Sequence, residues 1–176
     1  VVIGVAAVIA MVTIGNGTTA KVRDELSRLG TNTLFIRPGQ WGPGRASTEA
    51  KRFNDKDVLA IKEQVSGLRG VAPINRGTAT VIAGGANHSS SAVGTTNDYF
   101  IVQDWDMALG RNFNPNEDRG SHAACIIGET VRKQLFGAAN PVGQLIRVSN
   151  IACPVVGVLA VKGQSGMGDD QDDTVI

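Results

Sequence analysis

The sequence predicts an α+β protein built as two small α/β lobes that follow the end of a transmembrane helix. Three observations predict it. Val1–Ile14 is apolar apart from Thr13 and carries no charge. Two later stretches each read strand, helix, strand, strand, with Gly- and Asn-bearing turns between them. Such short turns join antiparallel neighbours, and the repeated βαβ alternation of a doubly wound sheet is missing.

The opening run is long for a strand, which takes about 4–8 residues, and short for a spanning helix, which takes about 20. A secretory hydrophobic region has this length too. Gly15-Asn16-Gly17-Thr18 is a poor cleavage site, however, and no basic residue precedes the run. Residues 1–15 therefore read as the C-terminal part of a first transmembrane helix. The chain starts on Val1, and Thr174-Val175-Ile176 begins a new apolar run, so both ends read as cut.

From Thr18 to Leu29 the residues Val22, Leu26 and Leu29 recur at helical spacing, with charges on the other face and Gly30 as the stop. Asn32–Arg37 reads as a strand stopped by Pro38-Gly39, and 40–53 as an exposed loop. Asn54 caps a helix from Asp55 to about Ser66, with Val58, Ile61, Val65 and Leu68 as its buried stripe. Val71–Ala83 and Ser89–Thr95 form a hairpin around Gly84-Gly85-Ala86-Asn87, and Pro73 suits an edge. Thr96–Val102 is a short helical turn capped by Thr96 or Asn97, followed by Asp104-Trp105-Asp106, Leu109-Gly110-Arg111 and a polar loop through Arg119, with Trp105 and Phe113 read as core. Ala123–Gly128 is a strand, Glu129–Phe136 a helix, and Gln144–Ser149 with Ala152–Val161 a second hairpin around Asn150.

Composition narrows the function. Hydrophobic residues make up 42% and charged residues 19% of 176, ordinary for a folded chain. The net charge of +1, with Lys and Arg scattered, provides no field for nucleic acid.

Several motifs invite chemistry and fall short of it. Gly15-x-Gly17-x-x-Ala20 has the spacing of a dinucleotide fingerprint and defines the alternative function, an NAD(P)-binding oxidoreductase-type domain. The run before it is too long for the required strand. The glycines of 39–46 have P-loop spacing, but Arg45 and Ala46 stand where Lys and Ser or Thr are needed. Asp169-Asp170-Gln171-Asp172-Asp173 lacks the glycine and closing glutamate of a calcium loop and reads as a solvated turn. His88, His122, Cys125 and Cys153 lack the spacing of a zinc knuckle, so no metal site is expected. Glu117-Asp118 sits in a polar loop, and no nucleophile elbow is present, so no catalytic residue is expected. Cys125 and Cys153 lie in two strands. They form a disulfide if those strands are neighbours in an oxidising compartment, and are two separately buried thiols otherwise.

The stretches GVAAVIAMVTIGNGTTAKVRDELSRLGTNTLFIRPG, LGRNF, IIGETVRKQLFG, NPVGQLIRV, CPVVGVLAVKGQS and GDDQDDTVI, in that order, resemble the periplasmic core domain of MacB-type (MacB/FtsX-like) ABC transporter permeases. The resemblance implies a porter-like lobe at 16–96 with a stalk helix, a smaller inserted lobe at 97–162, and a return segment at 163–176. It implies a bacterial inner-membrane protein with this segment in the periplasm, dimeric, working with a periplasmic adaptor protein in efflux or export. No cofactor is expected in this segment. ATP and magnesium would belong to a nucleotide-binding domain in the same or another chain. Trp41, Arg45 and His88, taken as exposed loop residues, are the candidates for partner contact.

Overall fold

A computed structural model describes residues 33–39, 52–165 and 168–176. The chain divides into two units, Val1–Arg37 and Pro38–Ile176. Residues 33–37 of the first unit form no strand, and Leu34, Phe35 and Ile36 are exposed, contrary to the strand expected at 32–37. Apolar character alone makes no ladder: a strand exists only where another strand takes its backbone hydrogen bonds. The expected membrane segment 1–15, the helix at 18–29 and nearly all of the 40–53 loop lie outside the described residues.

In the second unit α1 spans Asp55–Gln64. Asn54 Oδ1 accepts from the Lys56 and Asp57 amides at 2.9 and 3.1 Å, and Asp57 Oδ2 accepts from the Asn54 amide at 2.8 Å. This reciprocal cap fixes the start of the helix. The expected stripe is corrected: Val58 and Ile61 are half-buried, but Val65 and Leu68 lie beyond the helix and are 48% and 47% exposed.

The first hairpin joins β1 (Asn75–Ala83) to β2 (Ala86–Gly94), in register from Asn75↔Gly94 to Ala83↔Ala86. Strand β1 starts after Pro73, which has no amide to give a ladder. Next come α2 (Asp98–Val102), β3 (Met107–Gly110), α3 (Pro115–Asp118), β4 (Cys125–Ile127) and α4 (Glu129–Phe136). Strands β5 (Leu145–Val148), β6 (Ile151–Leu159) and β7 (Thr174–Val175) complete the fold. Asn97 precedes α2 as expected, yet its side chain caps nothing there: it holds the backbone N–H and C=O of Phe113.

The α+β class holds. The strands run β3-β6-β4-β7-β2-β1-β5, and β5 pairs back with β6, so six of them close into a barrel that β3 extends along β6. Only β2–β7 and β4–β6 are parallel. The hairpin expected in the 16–96 lobe and the strands expected in the 97–162 lobe share this one sheet. The segment expected as the return enters this sheet as β7, between β2 and β4.

Two cores flank the sheet. One gathers Val81, Ile127, Ile146, Val155, Val158 and Val175 beneath Val131 of α4. The other gathers Val93, Ile126, Val156 and Leu159 with Tyr99 and Phe100 of α2, and Trp105 and Phe113 pack half-buried against it. Strand β6 feeds both, which is why ACPVVGVL reads as a continuous apolar run rather than an alternation.

Where β3 turns off β6, Gly110 has φ +76° and a Cβ there would stand 2.2 Å from the Val156 carbonyl oxygen. Gly110→Ala is expected to destabilise the fold by about 2–4 kcal/mol, from left-handed strain plus displaced backbone. Gly84→Ala, with φ +56° and nothing within 4 Å, should cost only about 1–2 kcal/mol. Urea unfolding of the two variants side by side checks this.

Candidate functional site

A dense polar constellation lies, among the described residues, where the connection from β6 to β7 folds back on the barrel. Leaving the ladder, the amides of Lys162 and Gly163 need acceptors. The Asp172 carboxylate supplies them, Oδ1 to Lys162 at 2.8 Å and Oδ2 to Gly163 at 2.9 Å. Asp170 accepts from the Asp172 amide at 2.9 Å and from Thr130 Oγ1 at 2.7 Å. The Thr130 amide in turn donates to the Asp172 carbonyl at 3.2 Å. Asp172 is 5% exposed. The expectation of a solvated turn is therefore corrected at Asp172: a carboxylate can be buried when backbone donors surround it. Gly128 permits the approach, since a Cβ there would fall 2.1 Å from the Asp172 carbonyl oxygen.

At the near end of this connection Lys162 Nζ donates to the Gln103 carbonyl and lies 4.3 Å from the Trp105 ring centroid. At the far end Asp173 Oδ1 is 2.9 Å from His88 Nε2. His88, expected as an exposed loop residue, stands on β2 with its side chain 23% exposed. The hairpin turn is shorter than predicted, so the residue falls inside the ladder opposite Val81. Trp41 and Arg45, together with Gly15, Gly17 and Ala20, lie outside the described residues.

Cys125 and Cys153 are bonded across the neighbouring strands β4 and β6, with Cα atoms 5.8 Å apart. Both are buried, 8% and 1% exposed. Among the described residues no three His, Cys, Asp or Glu side chains converge as metal ligands.

The segment expected as a polar loop contains α3. Asn114 and Glu117 cap it reciprocally, and Glu117 also accepts a two-pronged bond from Arg111 at 2.7 and 2.9 Å. The Arg111 guanidinium holds the Glu117 carboxyl down from 4.5 to about 2. Asp118 accepts instead from the Asn97 amide at 2.6 Å. Neighbours in sequence, these two carboxylates serve separate structural partners. On α4 the Arg132 guanidinium likewise lowers Glu129, with Lys133 adding to it. Open grooves among the described residues include one between α1 and Asp98, where Lys62 and Asp98 pair at 2.6 Å, and one beside Gly110, Pro154 and the Arg111–Glu117 pair. In the first, Glu63 and Arg69 line the rim beside that pair, and in the second the Arg111–Glu117 pair is the charged part of the lining. The arrangement positions backbone and strands; it presents surfaces.

The family described as the MacB-like periplasmic core domain matches residues 1–176. The macrolide export ATP-binding/permease protein MacB of Azoarcus sp. is 37% identical over 99% of this chain and 26% of its own length. That of Syntrophobacter fumaroxidans is 33% identical over 100% of this chain and 25% of its own. The chain thus spans about a quarter of the length of these curated relatives. The crystal structure of the periplasmic region of MacB from Actinobacillus actinomycetemcomitans shares the fold, with a TM-score of 0.68 over 88% of this chain and 68% of that one, at 20% identity. The extracellular domain of the noncanonic ABC-type transporter YknZ from Gram-positive bacteria gives 0.58 over 70% and 60%, at 22% identity.

Asp172→Ala strands two amides in a buried corner and is expected to destabilise the fold by about 2–4 kcal/mol. Because the folded Glu117 carboxyl titrates below its ordinary 4.5, its contribution is complete above that value and is lost as pH falls toward about 2. Stability against urea, followed between those limits, should fall less steeply in Glu117→Gln than in the native chain.

Proposed function

This chain belongs to the family of MacB-like periplasmic core domains, and we propose that it carries ATP-driven motion of a membrane dimer into the periplasm and engages an adaptor protein there for efflux or export. The observation that carries the reading is the match of the family along the whole chain, together with relatives named as ATP-binding/permease proteins for macrolide export. A closed barrel with a core on each face is a stiff body, and stiff, close-packed bodies pass on displacement rather than absorb it. Residues 1–15 would anchor the segment in the inner membrane. ATP and magnesium would bind in a nucleotide-binding domain elsewhere in the transporter, so this segment itself would perform no catalysis. Coupling of this kind requires surfaces that meet their partners differently in two states. Trp41, Arg45 and His88 remain the proposed points of contact. For the dinucleotide alternative, the mostly antiparallel sheet offers no support.

The test uses the full-length transporter reconstituted in lipid, with its adaptor added or withheld. Adaptor should raise ATP hydrolysis several-fold and co-purify with the native protein, and both effects should vanish when residues 52–176 are replaced by a flexible Gly/Ser linker. Stimulation and co-purification that survive the replacement would refute the reading.

A further inference from the structure

The barrel is held unevenly. Strands β1 and β2 share a ladder of full length, and β5 and β6 are paired from Leu145↔Pro154 to Val148↔Ile151. Strand β1 meets β5 only through Val81↔Val148 and Ile82↔Arg147, with the Ser149 amide donating to Thr80. Strand β4 meets β7 through Ile127↔Val175 alone, flanked by the bonds of Ile126 with Ile176 and of Gly128 with Thr174. Strand β2 meets β7 through only Ser91↔Thr174 and Ala92↔Val175, so three joints are thin, and the two at β1–β5 and β4–β7 part β7-β2-β1 from β5-β6-β4. Strand β4 is the weak member of its own half: it has 3 residues, and its ladder to β6 shifts register between Cys125 and Ile126.

The Cys125–Cys153 bond closes a loop with a sequence separation of 28, containing β4, α4, β5 and the start of β6. Within that loop β4 lies against β7, β5 lies against β1, and α4 packs on β2 between them. The loop is a bracket around the other half of the barrel, and the bond fixes the distance between its arms. We infer that the disulfide acts as a clamp on strands outside its own loop, keeping β7 and the β1–β2 hairpin seated. Without it, β4 drifts from β6 and both seams open while the β5–β6 hairpin stays folded. A cross-link stabilises by limiting the states open to the unlinked chain, and here those states are the ones in which the bracket spreads. Local openings of this kind are read directly by amide hydrogen exchange.

The experiment compares exchange in the intact protein and in its C125A/C153A variant. The seam amides of Ile126, Gly128, Ser149 and Ile176 are expected to exchange on the order of 100-fold faster in the variant, while the Val155 amide, bonded to Gln144, stays near its native rate. A uniform acceleration at seam and hairpin alike would overturn the inference, as would unchanged seams. If the alanine pair fails to fold, C125A/C153V, which keeps more of the core volume, carries the same comparison. Failure of both pairs to fold also overturns it, since the bond would then be needed by the whole barrel rather than by its seams. None of these outcomes depends on an adaptor or on ATP.

Discussion

The fold depends on the second half of β6, from Val155 to Leu159, being buried on both faces and flanked by strands along both edges. Val155 and Val158 enter one core and Val156 and Leu159 the other, while β5 and β3 share one edge and β4 takes the opposite one. A strand so placed can carry almost no polar side chain, and its backbone must find every partner within the protein. Gly157 follows from the same constraint: a Cβ there would sit 2.7 Å from the Arg111 carbonyl oxygen, so the chain leaving β3 can cross only above a residue without one. The other strands are arranged to satisfy β6, and closure of the barrel results.

Local signals in the sequence were legible where local physics decides. The Asn54 cap, the Gly84-Gly85 turn, the helix at 129–136 and the apolar run of β6 are set by residues within one or two turns of each other. What could not be read was the pairing of distant strands. Strands β1 and β2 look self-contained, and nothing in NRGTATVIA says that Val81 will face Val148, nor anything in ANHSSSAVG that Ser91 will lie beside Thr174. Closure of a sheet is a matter of long-range register, which chain order does not give.

The polar site shows the same limit. Five residues of Asp-Asp-Gln-Asp-Asp carry identical charges in four places, yet Asp172 is buried, Asp173 faces His88 and Asp170 holds Thr130. The usable signal was the tendency of Asp to accept an amide two residues on, as Asp170 does from Asp172. Which carboxylate would then turn inward depends on the amides of Lys162 and Gly163, some ten residues away. The cysteines were more informative because each lies in an apolar strand, and two buried strands in one small domain have few places to be other than adjacent. The ordered succession of motifs identified the family; no single motif did.

Closing the sheet has a further effect on how such a molecule behaves among its own kind. An unpaired strand rim is a template on which a neighbour's backbone can grow, the usual seed of aggregation. Among the described strands the rims left are the outer side of β3, the first half of β1, where β5 does not reach, and the polar first half of β2, where β7 does not reach. The first is short and ends at Gly110, and the second carries Arg76 and Gly77, poor material for continued pairing. Copies meeting at these rims would find little backbone to extend, which favours contact through side chains instead.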